Sequence, residues 1–295
     1  MVKTYGEIYR QVKKLLEEEE GMQAASTARE LLSLASGYSQ AVLMGMQSIY
    51  ISDEIAEKYL ALAGRILAGE PLAYILGTWS FYGLNLTVTP DVLIPRDDTM
   101  AAVDLVLDHR EKLPAAMRIL DLCTGSGCIG LALASFFKDS RVTLSDLSAK
   151  ALKIAKKNAA DLKLSGRVAC LQADVNQMAD PFWGSFDLIV SNPPYITAKE
   201  MKALQRSVRD YEPHMALYGG EDGLDFYHAI VKNYTCALKP GGLLCFEFGQ
   251  GQETEVCSIL KENNYIVLEL RKDTGGIVRA VLAQKKERFD THGIG

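Results

Sequence analysis

Apolar residues recur along the first part of this chain at helical spacing. Over residues 4–20 they fall at Tyr5, Ile8, Tyr9, Val12, Leu15 and Leu16, on one face, and Gly21 ends the run. A second run, 26–35, carries Leu31, Leu32 and Leu34 and stops at Gly37. A third starts at a cap, Ser52 or Asp53, and reaches Ala68 before Gly69. The pattern predicts a small helical bundle. The acidic run Glu17 to Glu20 reads as its solvated face. From Pro71 the texture changes. Residues 79–88 read as two short strands about a glycine turn, and Pro95-Arg96 as a loop before a helix capped by Asp97 or Asp98. From Arg118 strands and helices alternate. Strands are expected at 118–122, 142–146, 168–172, 186–191 and 243–248, and helices at 128–137, 148–162, 224–238 and 252–263. Such alternation builds a parallel, doubly wound sheet. The end differs: 266–270 and 277–283 are strand-like, with too few residues between them for a crossover helix, so this last pair is antiparallel.

Composition narrows the class without naming a function. The 295 residues suit one large or two ordinary domains, and 48% apolar with 23% charged residues is a soluble globular balance. A net charge of −5 gives the surface as a whole no pull on nucleic acid. Lys3, Glu7 and Arg10 leave no secretory apolar region at the start, and the charge-free run 122–137 is too short and too rich in Gly and Ser to cross a bilayer. Six cysteines without a CxxC pair are expected to be reduced core residues, and four scattered histidines without HExxH spacing indicate no metal site. A reducing cytoplasm and no membrane partner are the expectation.

Chemistry concentrates at two places. The buried strand 186–191 ends in Asn192-Pro193-Pro194-Tyr195. Two prolines fix φ and donate no backbone hydrogen bonds, so the chain is stiff where an open α/β sheet binds its ligands. A rigid carboxamide, unpaired carbonyls and an aromatic ring there suit a small planar group with N–H donors. The other place follows the first strand, at Asp121-Leu122-Cys123-Thr124-Gly125-Ser126-Gly127-Cys128-Ile129-Gly130, a tight turn opening a helix. Gly125, Gly127 and Gly130 match the dinucleotide fingerprint literally, with Asp146 near the ribose-binding acid, so an NAD oxidoreductase competes. Asp121 near the turn argues against an anionic pyrophosphate and for a cationic ligand. Asp146 can accept two ribose hydroxyls; its alternative, capping the helix at 148–162, is a task Ser148 can do itself. Asp174-Val175 can hold an adenine edge and face.

These motifs together resemble the S-adenosylmethionine-dependent amino methyltransferases. Within them, Pro71-Leu72-Ala73-Tyr74-Ile75-Leu76-Gly77, Phe81-Tyr82-Gly83 and Val92-Leu93-Ile94-Pro95-Arg96 resemble the protein-(glutamine-N5) methyltransferases of peptide chain release factors, the PrmC/HemK family. So do Tyr211-Glu212-Pro213, Gly219-Gly220-Glu221-Asp222-Gly223-Leu224 and Arg279. The resemblance covers nearly the whole chain, with two departures. Asp97-Asp98-Thr99-Met100 stands where the family has Pro-Glu-Thr-Glu, and Cys123 replaces a common glycine, compatible with cofactor binding if the backbone there needs no positive φ.

The resemblance implies a class I methyltransferase: a Rossmann-like, mostly parallel seven-stranded sheet with a C-terminal antiparallel hairpin, plus a small N-terminal helical domain. Residues 1–70 would grip the substrate protein, 71–95 form a hairpin linker, 96–285 the methyltransferase domain and 286–295 a tail. S-adenosylmethionine would lie on Cys123, Thr124, Gly125, Ser126, Gly127, Asp146, Asp174, Val175 and Asn192, and leave as S-adenosylhomocysteine. Asn192, Pro193, Pro194 and Tyr195 would form the catalytic clamp, with Asn192 Oδ1 and the Pro193 carbonyl accepting the two N–H bonds of a glutamine amide. The implied substrate is the glutamine of a release factor's Gly-Gly-Gln loop. Asn-Pro-Pro-Tyr alone also fits an adenine-N6 methyltransferase of DNA or RNA, which the acidic balance disfavours. A non-enzymatic adenosyl-binding module has no need of it. Stable nucleic-acid binding is not expected. The segment 197–215 is open between a mobile flap and a fixed loop.

Overall fold

The computed structural model describes residues 3–287, and the chain divides into two compact units. One holds the chain through Thr78 with Gln205–Tyr211; the other holds Trp79–Leu204 and the chain from Glu212 onward.

The first unit is helical: α1 (Tyr5–Glu20), α2 (Ala24–Ser36), α3 (Gln40–Gly45), α4 (Asp53–Leu67) and α5 (Leu72–Leu76). A capping box starts α1, where the Thr4 hydroxyl accepts from Glu7 N–H and the Glu7 carboxylate accepts from Thr4 N–H. Ser52 caps α4, and Gly37, at φ 75°, closes α2. Ile8, Val12 and Leu16, three of the expected stripe, are fully buried with Leu31, Tyr59 and Ile66. The Tyr59 hydroxyl meets its polar requirement by donating to Ala28 O at 2.9 Å. The sequence pattern shows neither α3 nor α5, which are too short for a 3.6-residue period to register.

The second unit opens with a hairpin, β1 (Thr78–Phe81) and β2 (Leu84–Thr87). Tyr82 and Gly83 make its turn, both at positive φ, 49° and 77°, the mirror-type geometry that matches strand twist. Then follow α6 (Met100–Asp108), β3 (Arg118–Leu122), α7 (Cys128–Phe136), β4 (Arg141–Asp146), α8 (Ala149–Asp161), β5 (Val168–Gln172) and β6 (Phe186–Ser191). After them come α9 (Ala198–Met201), α10 (Arg206–Tyr211, part of the helical unit), α11 (Asp225–Tyr234), β7 (Leu238–Glu247), α12 (Glu253–Glu262), β8 (Tyr265–Lys272) and β9 (Val278–Lys285).

The seven strands order as β5-β4-β3-β6-β7-β9-β8, parallel except that β9 runs against both β7 and β8. The closing hairpin expected from the short gap is therefore present. β6 is buried along its whole length, as a strand covered on both faces must be, which explains its unbroken apolar run. One face packs Val103, Leu131 and Leu188; the other packs Leu120, Ile189, Tyr227 and Phe246. Chain order reverses between β3 and β6, so their carboxyl ends diverge and leave a crevice.

Three readings need correction. The helix expected over 224–238 ends at Tyr234, and a 3-10 turn, Thr235–Ala237, feeds directly into β7. β7 therefore starts at Leu238 rather than 243 and passes through Pro240-Gly241-Gly242, with a register shift opposite Phe186 and Leu188. The cysteines are unpaired, but only Cys245 and Cys257 are buried; Cys236 is exposed and the other three lie between. No helix among the described residues is long and apolar enough to cross a membrane. From residue 288 the expected tail lies outside the described residues.

Candidate active site

The turn after β3 is built on Asp121. Its side chain is 1% exposed, and Oδ2 accepts from Thr124 Oγ1 at 2.6 Å and from Gly130 N–H at 2.9 Å. Asp121 thus ties the turn to the first turn of α7, where the backbone donors are otherwise unmet. Oδ1 has no partner among the described residues, and burial, reinforced by the Asp146 charge, pushes the carboxyl up to about 7. The sequence places this carboxylate near the ligand; the structure instead puts it beneath the turn. Cys123 sits at φ +56°, so the condition for a harmless replacement of glycine is not met, and the thiol occupies a backbone shape that favours glycine. Gly127, at φ +86°, also has no room: a Cβ would come within 3.0 Å of Leu131 and 3.1 Å of Leu144.

A cavity of about 390 Å³ opens over this turn. Cys123, Gly125, Asp146, Asp174, Val175, Asn192 and Pro194 line it, joined by Leu93 and Phe226. Thr124, Ser126 and Gly127 lie behind the wall. Thr124 N–H donates to Ser145 O at 3.0 Å, and Ser126 O accepts from Asn158 Nδ2 at 2.9 Å, so they brace the turn. Ser148 caps α8 itself, accepting from Ala151 N–H. Asp146 Oδ2 accepts from Gly125 N–H and Oδ1 from Ser148 N–H, both at 2.9 Å, which leaves each oxygen a further lone pair. Burial raises the Asp146 carboxyl, and these backbone donors oppose the shift. Asp174 Oδ1 accepts from Asn176 N–H at 2.9 Å and from Asn176 Nδ2 at 3.0 Å. The wall holds four aspartates, Asp91, Asp146, Asp174 and Asp225, and no lysine or arginine, although Lys150 pairs with Asp91 at 3.3 Å. Such a wall favours a cationic ligand and opposes a pyrophosphate.

Asn192 walls this cavity and also a smaller one of about 60 Å³ shared with Pro193, Tyr195, Arg96, Leu217 and Glu247. Ser191 Oγ fastens the end of β6 to Leu122 O at 2.7 Å. Beyond the prolines, Ile196 N–H donates to Leu217 O and Gly219 N–H to Ile196 O, each at 2.9 Å. Gln252 Nε2 donates to Tyr195 O at 3.2 Å and to Gly223 O at 3.4 Å, while its Oε1 accepts from Gly249 N–H at 2.9 Å. The Pro-Pro-Tyr segment is thereby held from three loops. Burial, with the Glu247 charge adding, raises the Tyr195 phenol. Arg96 pairs with Glu212, whose Oε2 also accepts from Ile94 N–H at 3.1 Å, and Arg279 joins Asp98 and Asp273, each at 3.0 Å.

Three contacts escape sequence reasoning: Thr99, Gln252 and Glu247. Asn192 Nδ2 donates to Thr99 Oγ1 at 3.3 Å. Glu247 ends β7, 1% exposed, beside Asn192. Its signal was available, since one carboxylate interrupts the apolar stretch at 243–248.

The family model of the methyltransferase small domain matches residues 97–221, and that of the PrmC N-terminal domain matches residues 7–77. A release factor glutamine methyltransferase of Clostridium acetobutylicum is 43% identical over 213 residues, 72% of this chain and 74% of that protein. The chain belongs to the release factor glutamine methyltransferase family. The Bradyrhizobium diazoefficiens member is 39% identical over 269 residues, 89% of each chain. Among solved structures, the hMettl16 catalytic domain superposes with a TM-score of 0.55 over 79% of this chain and 82% of its own, at 14% identity, which shows a shared fold alone. As a release factor glutamine methyltransferase the chain is an enzyme, and its sheet, mostly parallel with an antiparallel closing hairpin, is the class I methyltransferase architecture.

Proposed function

We infer that this enzyme methylates the side-chain nitrogen of the glutamine in the Gly-Gly-Gln loop of peptide chain release factors, with S-adenosylmethionine as donor. Membership of the family supports the reaction. The observation that carries the site is the position of Asn192, a carboxamide on a proline-stiffened backbone between an acid-walled cavity and a small planar-sized one. The residues suit the donor: the cavity wall has four carboxylates and no lysine or arginine to oppose a sulfonium and an ammonium. Asp146 would hold the ribose hydroxyls, Asp174 and Val175 the adenine, and the turn at Cys123 and Gly125, braced from behind by Thr124, Ser126 and Gly127, the methionine portion. When bound, S-adenosylmethionine supplies an electrophilic methyl group.

An amide nitrogen is a poor nucleophile because its lone pair is delocalised into the carbonyl. Asn192 Oδ1 and the Pro193 carbonyl accept its two N–H bonds, and this favours the positive character that develops as the nitrogen pyramidalises; the N–C bond forms as the S–C bond breaks, and one N–H proton then leaves to water. Tyr195 packs against the amide plane. Positioning of this kind supplies roughly 7–11 kcal/mol in well-oriented intramolecular reactions. The helices of residues 1–70 are the part of the chain we assign to gripping the protein substrate, with 71–95 as linker and 96–285 as catalytic domain.

Labelled methyl transfer to release factor, to the same factor with its loop glutamine changed to alanine, to DNA and to tRNA tests the reading. Incorporation into the first substrate only is expected; equal labelling of the glutamine-free factor, or labelling of nucleic acid instead, overturns it. Asn192→Ala should lose turnover and keep most of the donor affinity by calorimetry.

A further inference from the structure

The Asn192 clamp works only if its carboxamide faces the right way. A carboxamide has one accepting and one donating end of nearly equal shape, and only the oxygen can accept the N–H of a glutamine amide. Nothing in the Pro-Pro backbone makes that choice. The residues behind Asn192 do.

Behind it, Nδ2 donates to Thr99 Oγ1 at 3.3 Å. Thr99 is 2% exposed and stands at the start of α6. Next to both is Glu247, 1% exposed, at the carboxyl end of β7. The register sets this neighbourhood: Ser191 pairs with Phe246, so the next residue of each strand is Asn192 and Glu247. Hydrogen bonding from the Thr99 and Asn192 side chains favours the ionised form of Glu247, while its Oε2 has no partner among the described residues and the carboxylate borders the small cavity.

We propose that Glu247 is a positioning residue for the methyl transfer, acting through Thr99 to fix Asn192 with its NH2 inward and Oδ1 toward the acceptor. The argument follows the protons. An ionised carboxylate only accepts, and a threonine hydroxyl has one proton to give. Once Thr99 gives that proton to Glu247, its oxygen can only accept, and the group it accepts from is Asn192 Nδ2. The amide oxygen is left facing the cavities. Protonating Glu247 removes the constraint, because the acid can then donate to Thr99 and Thr99 can donate to Asn192 Oδ1, turning the amide over. Around Glu247 stand Arg279 on β9, Asp98 ahead of α6, Tyr195 after β6, Cys128 at the start of α7, Cys245 on its own strand and Tyr227 on α11. Arg279 favours the carboxylate and Asp98 opposes it, and burial, the largest influence, brings Glu247 up to about 7.

The proposal rests on the glutamine reading above, and its test separates the two. Glu247→Gln and Thr99→Val keep shape and remove the constraint; each should lower kcat on the order of a hundredfold, the scale of a misplaced reacting group, with donor affinity by calorimetry within about twofold of wild type. Thr99→Ser should recover kcat to within about threefold, because the hydroxyl is all the argument needs. In wild type, kcat should rise with pH through a midpoint near 7. The side-chain NH2 resonances of Asn192, followed by NMR without any acceptor, should shift with the same midpoint and lose that titration in Glu247→Gln. Wild-type kcat in Glu247→Gln, or Thr99→Ser as impaired as Thr99→Val, overturns the proposal. So does a flat Asn192 titration in wild type. Because the NMR arm needs no methyl acceptor, it judges Glu247 even if no glutamine substrate is methylated, an outcome that would sink the functional reading alone.

Discussion

Gly125 donates its backbone N–H to Asp146 Oδ2 at 2.9 Å, joining the turn after β3 to the end of β4. The carboxylate that would take the ribose hydroxyls therefore also shapes the loop over which the cavity opens. Asp146→Ala should act twice. Donor affinity should fall roughly ten- to a hundredfold, the scale of one or two charge-assisted hydrogen bonds. The unliganded protein should also lose about 1 kcal/mol, because Gly125 and Ser148 N–H lose their acceptor. Calorimetric titration and urea unfolding without ligand measure the two effects separately. An unchanged dissociation constant would remove Asp146 from the binding site.

Cys123, two residues before Gly125, holds φ +56° with a side chain. The left-handed region costs a residue with a Cβ about 1–2 kcal/mol. Cys123→Gly should relieve that strain, keep donor affinity within about threefold and raise or hold the melting temperature, since the lost packing and the added chain entropy offset part of the gain. Cys123→Val adds β-branching at the same φ and should be the less stable variant by about 1–2 kcal/mol relative to glycine. Thermal melts of the two variants decide it: valine matching glycine would mean the backbone has relaxed out of the left-handed region.

The sheet was legible because each of its signals is local. β6 announces itself by six consecutive buried positions, and the antiparallel end by a gap too short for a helix. The two-residue turn at Tyr82-Gly83 was readable for the same reason. What stayed hidden depends on residues far apart in the chain. Thr99 and Asn192 are 93 residues apart, and Gln252 and Tyr195 are 57 apart, so no motif spacing links them. Which side of the turn Asp121 occupies is not legible from its neighbours in sequence; the closing of α7 over β3 decides it. β7 was read short because Pro240-Gly241-Gly242 has the composition of a turn, and only the pairing of Leu238 with Phe186 extends the strand across it.

Gly219 packs tightly against the Pro-Pro-Tyr segment. A Cβ there would lie 2.6 Å from Pro194 O and 2.6 Å from Tyr195 Cα, both backbone atoms that cannot swing aside. Gly219→Ala should therefore push the Pro-Pro-Tyr segment off its position. Overpacking of this kind costs about 1–3 kcal/mol, and displacement of the clamp should lower kcat on the order of tenfold or more. Gly166→Ala is the control, because nothing lies within 4 Å of its Cβ position; it should change stability by no more than about 0.5 kcal/mol. Kinetics and urea midpoints for both variants test this. A Gly219→Ala enzyme with normal kcat would show that the segment's position does not govern turnover.

Asp121 contributes one part of the pH dependence of stability. Its carboxyl stands at about 7 in the folded protein, against an ordinary value near 4 in the unfolded chain. Below pH 4 both states carry the proton. Between about pH 4 and 7 the folded state keeps it and the unfolded chain releases it, so stability falls as pH rises across that window and levels off above it. The loss reaches at most about 4 kcal/mol for this one group. Asp121→Asn removes the titration yet leaves a carbonyl oxygen to accept from Thr124 Oγ1 and Gly130 N–H. Relative to wild type, the variant should therefore gain stability between pH 5 and pH 8. Urea unfolding of both proteins at the two pH values, without ligand, measures that gain directly. A difference between variant and wild type that stays constant from pH 5 to pH 8 would mean that Asp121 is already ionised in the fold, with its unpartnered Oδ1 stabilised some other way.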